Sequence, residues 1–140
     1  MKTALLAAAS GLLLSACGNY ACACAAPTTP LPSISPGLGF DAVVSDQDTA
    51  ITIHSGQKLE VVLHARPGMT NWSNVRSSDT SVLTPVVNPA ATAARGVTLA
   101  GFQAQKPGSA TITASAGAAC SPGQACPQFA VLYSVSVTVT

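Results

Sequence analysis

The chain has 140 residues, 8% of them charged and 48% hydrophobic, with a formal net charge of +1. That balance excludes the basic patch a nucleic-acid partner requires. The apolar share is inflated by alanine and by the N-terminal run, and since only one segment could enter a bilayer, a multi-span membrane protein is excluded too.

Residues 1–16 carry one early cation, Lys2, and then an apolar run to Leu14. As a helix, Ala4 to Leu14 would cover roughly 16 Å against about 30 Å of hydrocarbon, too short to span. This is the pattern of a secretory signal peptide. Its end, Leu14-Ser15-Ala16-Cys17, resembles the lipobox of bacterial lipoproteins. The resemblance implies cleavage before Cys17, a diacylglycerol thioether on its sulfur and a further acyl chain on the new amino group, enough for stable anchoring to a membrane. The expected localisation is therefore export, with lipid attachment to the bacterial cell envelope, facing outside the cytoplasm.

Residues 17–37 follow as the lipidated cysteine and a disordered, Pro/Ala-rich tether. Pro27, Pro30, Pro32 and Pro36 interrupt a stretch without helical or strand periodicity, so it reads as semi-extended and solvated. Cys22 and Cys24 within it are open to a local disulfide, to pairing between molecules or to a soft metal; oxidation after export is the plainer fate.

Residues 38–140 are expected to form one domain. Helix signals are nearly absent and Thr, Val and Ser dominate the second half, a β-type composition. Phe40 to Val44 reads as a first edge strand, and Asp46-Gln47-Asp48 as a turn of solvated acids, since no calcium-loop glycine and glutamate follow. Ile51 and Ile53 alternate with Thr52 and His54; Leu59, Val61 and Leu63 share one face of the next strand. These two read as paired strands or as members of different sheets. After the loop Ala65–Asn71, Trp72 opens a strand as a core residue. Ser77 to Thr80 is a polar corner, Val82-Leu83 a strand limited by Pro85, and Asn88 to Arg95 a loop.

Gly96 to Ala114 reads as a hairpin reversing at Lys106-Pro107-Gly108. Val97 and Leu99 are out of phase with Phe102 and Ala104, which a bulge at Gly101 would correct. Cys120 and Cys126 flank Ser-Pro-Gly-Gln-Ala, and in an oxidising compartment a disulfide is expected, worth about 2 kcal/mol for so small a ring. The last run puts Val131, Tyr133, Val135, Val137 and Val139 on one face and Leu132, then Ser134, Ser136, Thr138 and Thr140, on the other. About seven strands with turns every ten residues or so point to an all-β, immunoglobulin-like antiparallel sandwich.

The strings WSNVRSSDTSVLTPV, GVTLAGFQAQKPGSATITA and YSVSVTVT resemble the core pattern of bacterial immunoglobulin-like domains. They are also similar to the chagasin family of cysteine-protease inhibitors, which share that sandwich. The resemblance covers about residues 58–140. In chagasins, inhibition depends on three end loops bearing Asn-Pro-Thr-Thr-Gly, Gly-rich and Arg-Pro-Trp/Phe motifs. Here the first place holds Arg66-Pro67-Gly68-Met69-Thr70-Asn71, the second has Gly96 after Arg95, and the cysteine loop replaces the third. The resemblance implies that loops 65–71, 88–96 and 116–129 gather at one end. Arg66, Pro67, Met69, Asn71, Arg95, Gly96, Pro122 and Gln124 are accordingly the candidate binding residues.

His54 and His64 have no acidic neighbour in sequence, no glycine-framed serine accompanies them, and phosphate-loop and zinc motifs are missing. The reading is of a non-catalytic module with no cofactor, no metal and no small-molecule substrate, a lipoprotein whose end loops bind another protein. The alternatives are inhibition of papain-family proteases, or a passive structural part of the envelope.

Overall fold

The computed structural model describes residues 34–91 and 95–140. The leader, Cys17, Cys22, Cys24 and all four prolines of the tether but Pro36 lie outside the described residues, so lipidation and the cysteine pair are not addressed by it.

Eight strands alternate with turns: β1 (Ala42–Ser45), β2 (Ala50–Ile53), β3 (Lys58–His64), β4 (Ser73–Ser77), β5 (Leu83–Val86), β6 (Val97–Ala104), β7 (Gly108–Gly117) and β8 (Ala130–Val139). They form two four-stranded sheets, ordered β1-β3-β6-β5 and β2-β8-β7-β4. The architecture is the expected immunoglobulin-like sandwich, with eight strands instead of about seven. Most pairs are antiparallel; the short edge strands β1 and β2 pair in parallel with β3 and β8.

Period-two alternation builds the core. In β7 and β8, ten register pairs run from Gly108↔Val139 to Gly117↔Ala130. Ala110, Ile112, Ala114 and Ala116 turn inward beside Tyr133, Val135, Val137 and Val139, while Ser and Thr face out. Leu59, Val61, Leu63, Leu83 and Phe102 answer them from the other sheet, all nearly inaccessible to water. Small alanines on β7 leave room for the larger side chains opposite, as close packing of two sheets requires.

Three expectations are corrected. The Lys106-Pro107-Gly108 turn does not close a hairpin, because β6 lies in the first sheet and β7 in the second. The reversal carries the chain across the sandwich, and the Val82 side chain approaches Gly108 at the crossing. The bulge at Gly101 is also absent: β6 pairs with β3 in one unbroken register from Lys58↔Gln103 to His64↔Val97. Val97 and Leu99 are out of phase because they face outward. Gly101 is there because Phe40 and Val86 cover it, and a Cβ would meet the Phe40 ring at 2.9 Å. Third, Pro85 does not stop β5 but lies within it, tolerated because β5 is an edge strand whose outer N–H has no ladder partner to lose.

Ile51-Ile53 and Lys58-His64 occupy different sheets, the second of the two arrangements read from the sequence. Between β1 and β2 the chain changes sheets at Asp46–Thr49. Asp48 holds the corner by accepting from Ser45 N–H (2.7 Å) and Ser45 Oγ (2.8 Å), and the Tyr133 hydroxyl donates to Ser45 O at 3.0 Å. Burial, with Asp48 and Asp46 adding like-signed repulsion, pushes the Tyr133 phenol far up. It therefore remains a donor.

The outer edge β4 is irregular. Its register with β7 shifts between Ser73 and Arg76, and Asn74 has φ 54°, the left-handed region that asparagine tolerates better than most residues.

Candidate functional site

Strand polarity sets which loops meet. β3 and β5 run toward the end where β6 begins, and β7 arrives where β8 departs. At that end Trp72 acts as a pier. It is 4% exposed, its Nε1–H donates to His64 O at 2.9 Å, and its carbonyl accepts from Thr98 Oγ1 at 2.9 Å. Its ring meets Tyr133 edge to face at 6.1 Å between centroids. One residue thereby joins the end of β3, the start of β4, the start of β6 and the core, as expected of a core tryptophan.

Loop 65–71 is folded on this pier. Ala65 N–H donates to Gly96 O at 2.7 Å, and Met69 N–H to Arg66 O at 3.0 Å. The second bond closes a turn with Pro67 and Gly68 at its centre, and Gly68 takes φ 75°, the combination that a type II turn favours. Gly68 O then accepts from Ala119 N–H at 2.9 Å, and Thr70 N–H donates to Gly117 O at 2.9 Å. Gly117 N–H returns to Thr70 Oγ1 at 3.1 Å, and Met69 makes an isolated bridge to Ala118. Met69 is half-buried against the core; Arg66, Pro67 and Asn71 are exposed.

The cysteine loop begins at Ala118, since β7 continues through Ala116 and Gly117. A disulfide joins Cys120 and Cys126. Inside the ring Gln124 N–H donates to Ser121 O at 3.3 Å around Pro122 and Gly123, whose φ is 85°. Every residue from Ala119 to Ala130 is exposed, Pro122 and Gln124 among them. Closing the ring limits the conformations of an otherwise uncovered loop, which lowers the entropy it would lose on association.

Loop 88–96 divides between two places. Arg95 and Gly96 stand at the tip, exposed, with Gly96 tied to Ala65. Its start does not: Asn88 lies on the outer face of the first sheet, 7% exposed, donating Nδ2–H to Glu60 Oε1 at 2.8 Å. The same carboxylate accepts Gly37 N–H on Oε2 at 2.6 Å. Glu60 is 4% exposed although its neighbours Leu59 and Val61 face the core. It is buried from outside by the segment before β1, beneath a shallow cleft also lined by Leu38, Phe40 and Pro89. The expected tether boundary falls at residue 37, whose amide is already fastened to the sandwich.

Sequence reasoning missed Glu60, Asn88 and Phe129, and gave no role to Leu132; Phe129 and Leu132 are 49% and 77% exposed beside the cysteine loop. Phe129 follows the last cysteine loop residues without periodicity, so no pattern marks it. Leu132 was legible as the odd apolar residue on the polar face of the last strand.

The histidines stay apart. His64 Nδ1 is 3.3 Å from Asp46 Oδ1 at the loop end. His54 contacts Thr140 Oγ1 at 2.9 Å at the opposite end, and β3 alone separates them by roughly 20 Å. Among the described residues no three His, Cys, Asp or Glu side chains gather closely enough to hold a metal ion.

No protein-family model matches the chain, and no curated protein matches it. Among solved structures it is similar to the cysteine protease inhibitor EhICP2 from Entamoeba histolytica, at 15% identity and TM-score 0.47 over 71% of this chain and 96% of that one. It is similar to amebosin at 17% identity and TM-score 0.42, over 71% and 97%. PbICP-C, in its complex with falcipain-2, gives 17% and 0.42, over 71% and 100%.

Proposed function

We propose that the domain is a non-catalytic module that binds another protein through the loops at the Trp72 end, presented from the bacterial envelope by a lipid on Cys17. The observation that supports this best is the backbone lacing of three loops: Ala65 to Gly96, Gly68 to Ala119 and Thr70 to Gly117. Loops fastened to one another on a rigid sandwich form a surface with little ordering left to lose on association. The surface also has the chemistry of a contact patch, with arginines, prolines and a half-buried methionine beside exposed Phe129.

The test is capture from envelope extracts with the full chain, against a variant in which 118–129 is replaced by a short linker. A partner retained by the first and lost by the second supports the reading. Identical retention by both removes it. Intact mass after expression in a lipoprotein-competent bacterium tests the anchor, since acylation at Cys17 adds the mass of its chains and Cys17→Ser abolishes it.

The second reading is inhibition of papain-family cysteine proteases. It is favoured by the loop positions, which coincide with the three places where the chagasin pattern carries its motifs. Loop 65–71 keeps only the proline of its motif, and a disulfide ring stands in the third place. A panel of papain-like proteases that keep full activity in excess domain discards this reading and leaves the first intact.

A further inference from the structure

We infer that the loop end grips a carboxylate-rich peptide segment through Arg66 and Arg95 acting together, an inference that rests on reading these loops as a protein-binding surface. The two arginines hold facing backbone positions where the chains leave the sheet. Ala65 N–H and Gly96 O form the last tie between the chains that continue β3 and β6, and Arg66 and Arg95 are the next residues beyond it on either side. Both are exposed. Like charges at facing positions destabilise a ladder, so the fold carries this pair at a cost that an incoming anion would remove.

The surroundings do not supply that anion. Loops 65–71, 88–96 and 118–129 contain two cations and no acid. The rest of residues 38–140 holds Lys58, Arg76 and Lys106 against Asp41, Asp46, Asp48, Glu60 and Asp79. The three loops thus carry +2 and the remainder −2, a separation of charge within a neutral domain. The acids nearest the tip are engaged: Asp46 with His64, and Asp48 with Ser45. Among the described residues neither arginine forms an ion pair.

Arginine presents a planar fork that takes a carboxylate through two parallel hydrogen bonds and stays charged at every physiological pH. Pro67 and Met69, in the same turn as Arg66, are uncharged and apolar, suited to the backbone and short stems of glutamate or aspartate. A dense phosphate polymer is a poorer match, because its affinity scales with the number of phosphates neutralised and this surface offers two cations.

The test titrates a labelled oligoglutamate peptide into the full chain, at low salt and at about 0.15 M salt. Saturable binding is expected, weakened by salt, about threefold by Arg66→Gln or Arg95→Gln alone and about tenfold by both. Replacing both by lysine keeps the charge and removes the fork, and lowers affinity by less. Both side chains are exposed and neutralising either relieves their repulsion, so thermal unfolding of the glutamine variants should match the parent or lie slightly above it. Undiminished binding by the double glutamine variant, or equal affinity for polyphosphate of matched charge, overturns the inference. Loop-dependent capture of a partner without arginine-dependent oligoglutamate binding overturns it too, and leaves the end-loop reading standing. Arginine-dependent peptide binding without loop-dependent capture supports the pair's chemistry and overturns that broader reading instead.

Discussion

Replacing Glu60 by alanine tests the account of how the outer face of the first sheet is held. The carboxylate is 4% exposed and accepts from Gly37 N–H at 2.6 Å and from Asn88 Nδ2 at 2.8 Å. Removing it orphans two donors, each costing about 1–3 kcal/mol when buried. Against this, the variant no longer desolvates a charge, which returns part of the loss. The net expectation is the lower part of the range, about 2 kcal/mol, or a midpoint roughly 10 °C lower for a domain of this size. Glutamine keeps one acceptor and turns an N–H toward the other donor, so Glu60→Gln should lose about half as much. Urea unfolding gives the stability, and amide exchange gives the location: protection should fall together at Gly37 and at Ala90, whose N–H donates to Asn88 Oδ1 at 3.0 Å. If alanine costs less than about 0.5 kcal/mol, the range of ordinary surface changes, or only one of those amides loosens, Glu60 does not join the two segments.

Gly101→Ala should cost about 1–3 kcal/mol by overpacking, because the new methyl would lie 2.9 Å from the Phe40 ring; adding Phe40→Ala should recover part of that loss in the same unfolding assay. Tyr133→Phe should cost about 1 kcal/mol by taking a donor from Ser45 O, and absorbance titration of the parent should show Tyr133 ionising well above the ordinary tyrosine value. Asp79 accepts the Ser81 hydroxyl and the Ser81 N–H, which holds its carboxyl below the ordinary value. Its contribution is therefore complete above about pH 4, the ordinary aspartate range, and fades as pH falls through the lowered folded value. Carbon-detected NMR titration should show that depression in the parent and a partial return toward normal in Ser81→Ala; identical titration curves would refute the assignment.

Much of the sandwich was legible in the sequence because alternation reports burial on one face directly. Val135, Val137 and Val139, the alanines of β7 and the core role of Trp72 all follow from local pattern. The failures share a cause, which is that one local signal serves two geometries. A Pro-Gly reversal serves a hairpin or a crossing between sheets, and only the partners of each strand distinguish them. A glycine within a strand marks a bulge or a neighbour pressed against the backbone, and Phe40, 61 residues before Gly101, decides which. Glu60 was invisible for a related reason. Its position in Leu59-Glu60-Val61 places it correctly on the outer face, but the cover comes from residues 34–40, which carry no period. At the candidate site, the disulfide and the meeting of loops were readable from spacing and resemblance, whereas the division of loop 88–96 depends on Asn88 reaching back to that carboxylate.

The proline inside β5 and the irregularity at Asn74 in β4 have a further effect on how copies of this domain behave side by side. A bare strand border is a template on which a neighbour can zip. Here one border lacks a donor, another has its register broken around Asn74, and β1 and β2 offer only four residues each. Molecules concentrated on a shared support are thus denied a route to a continuous ribbon, and can stand close together while remaining separate.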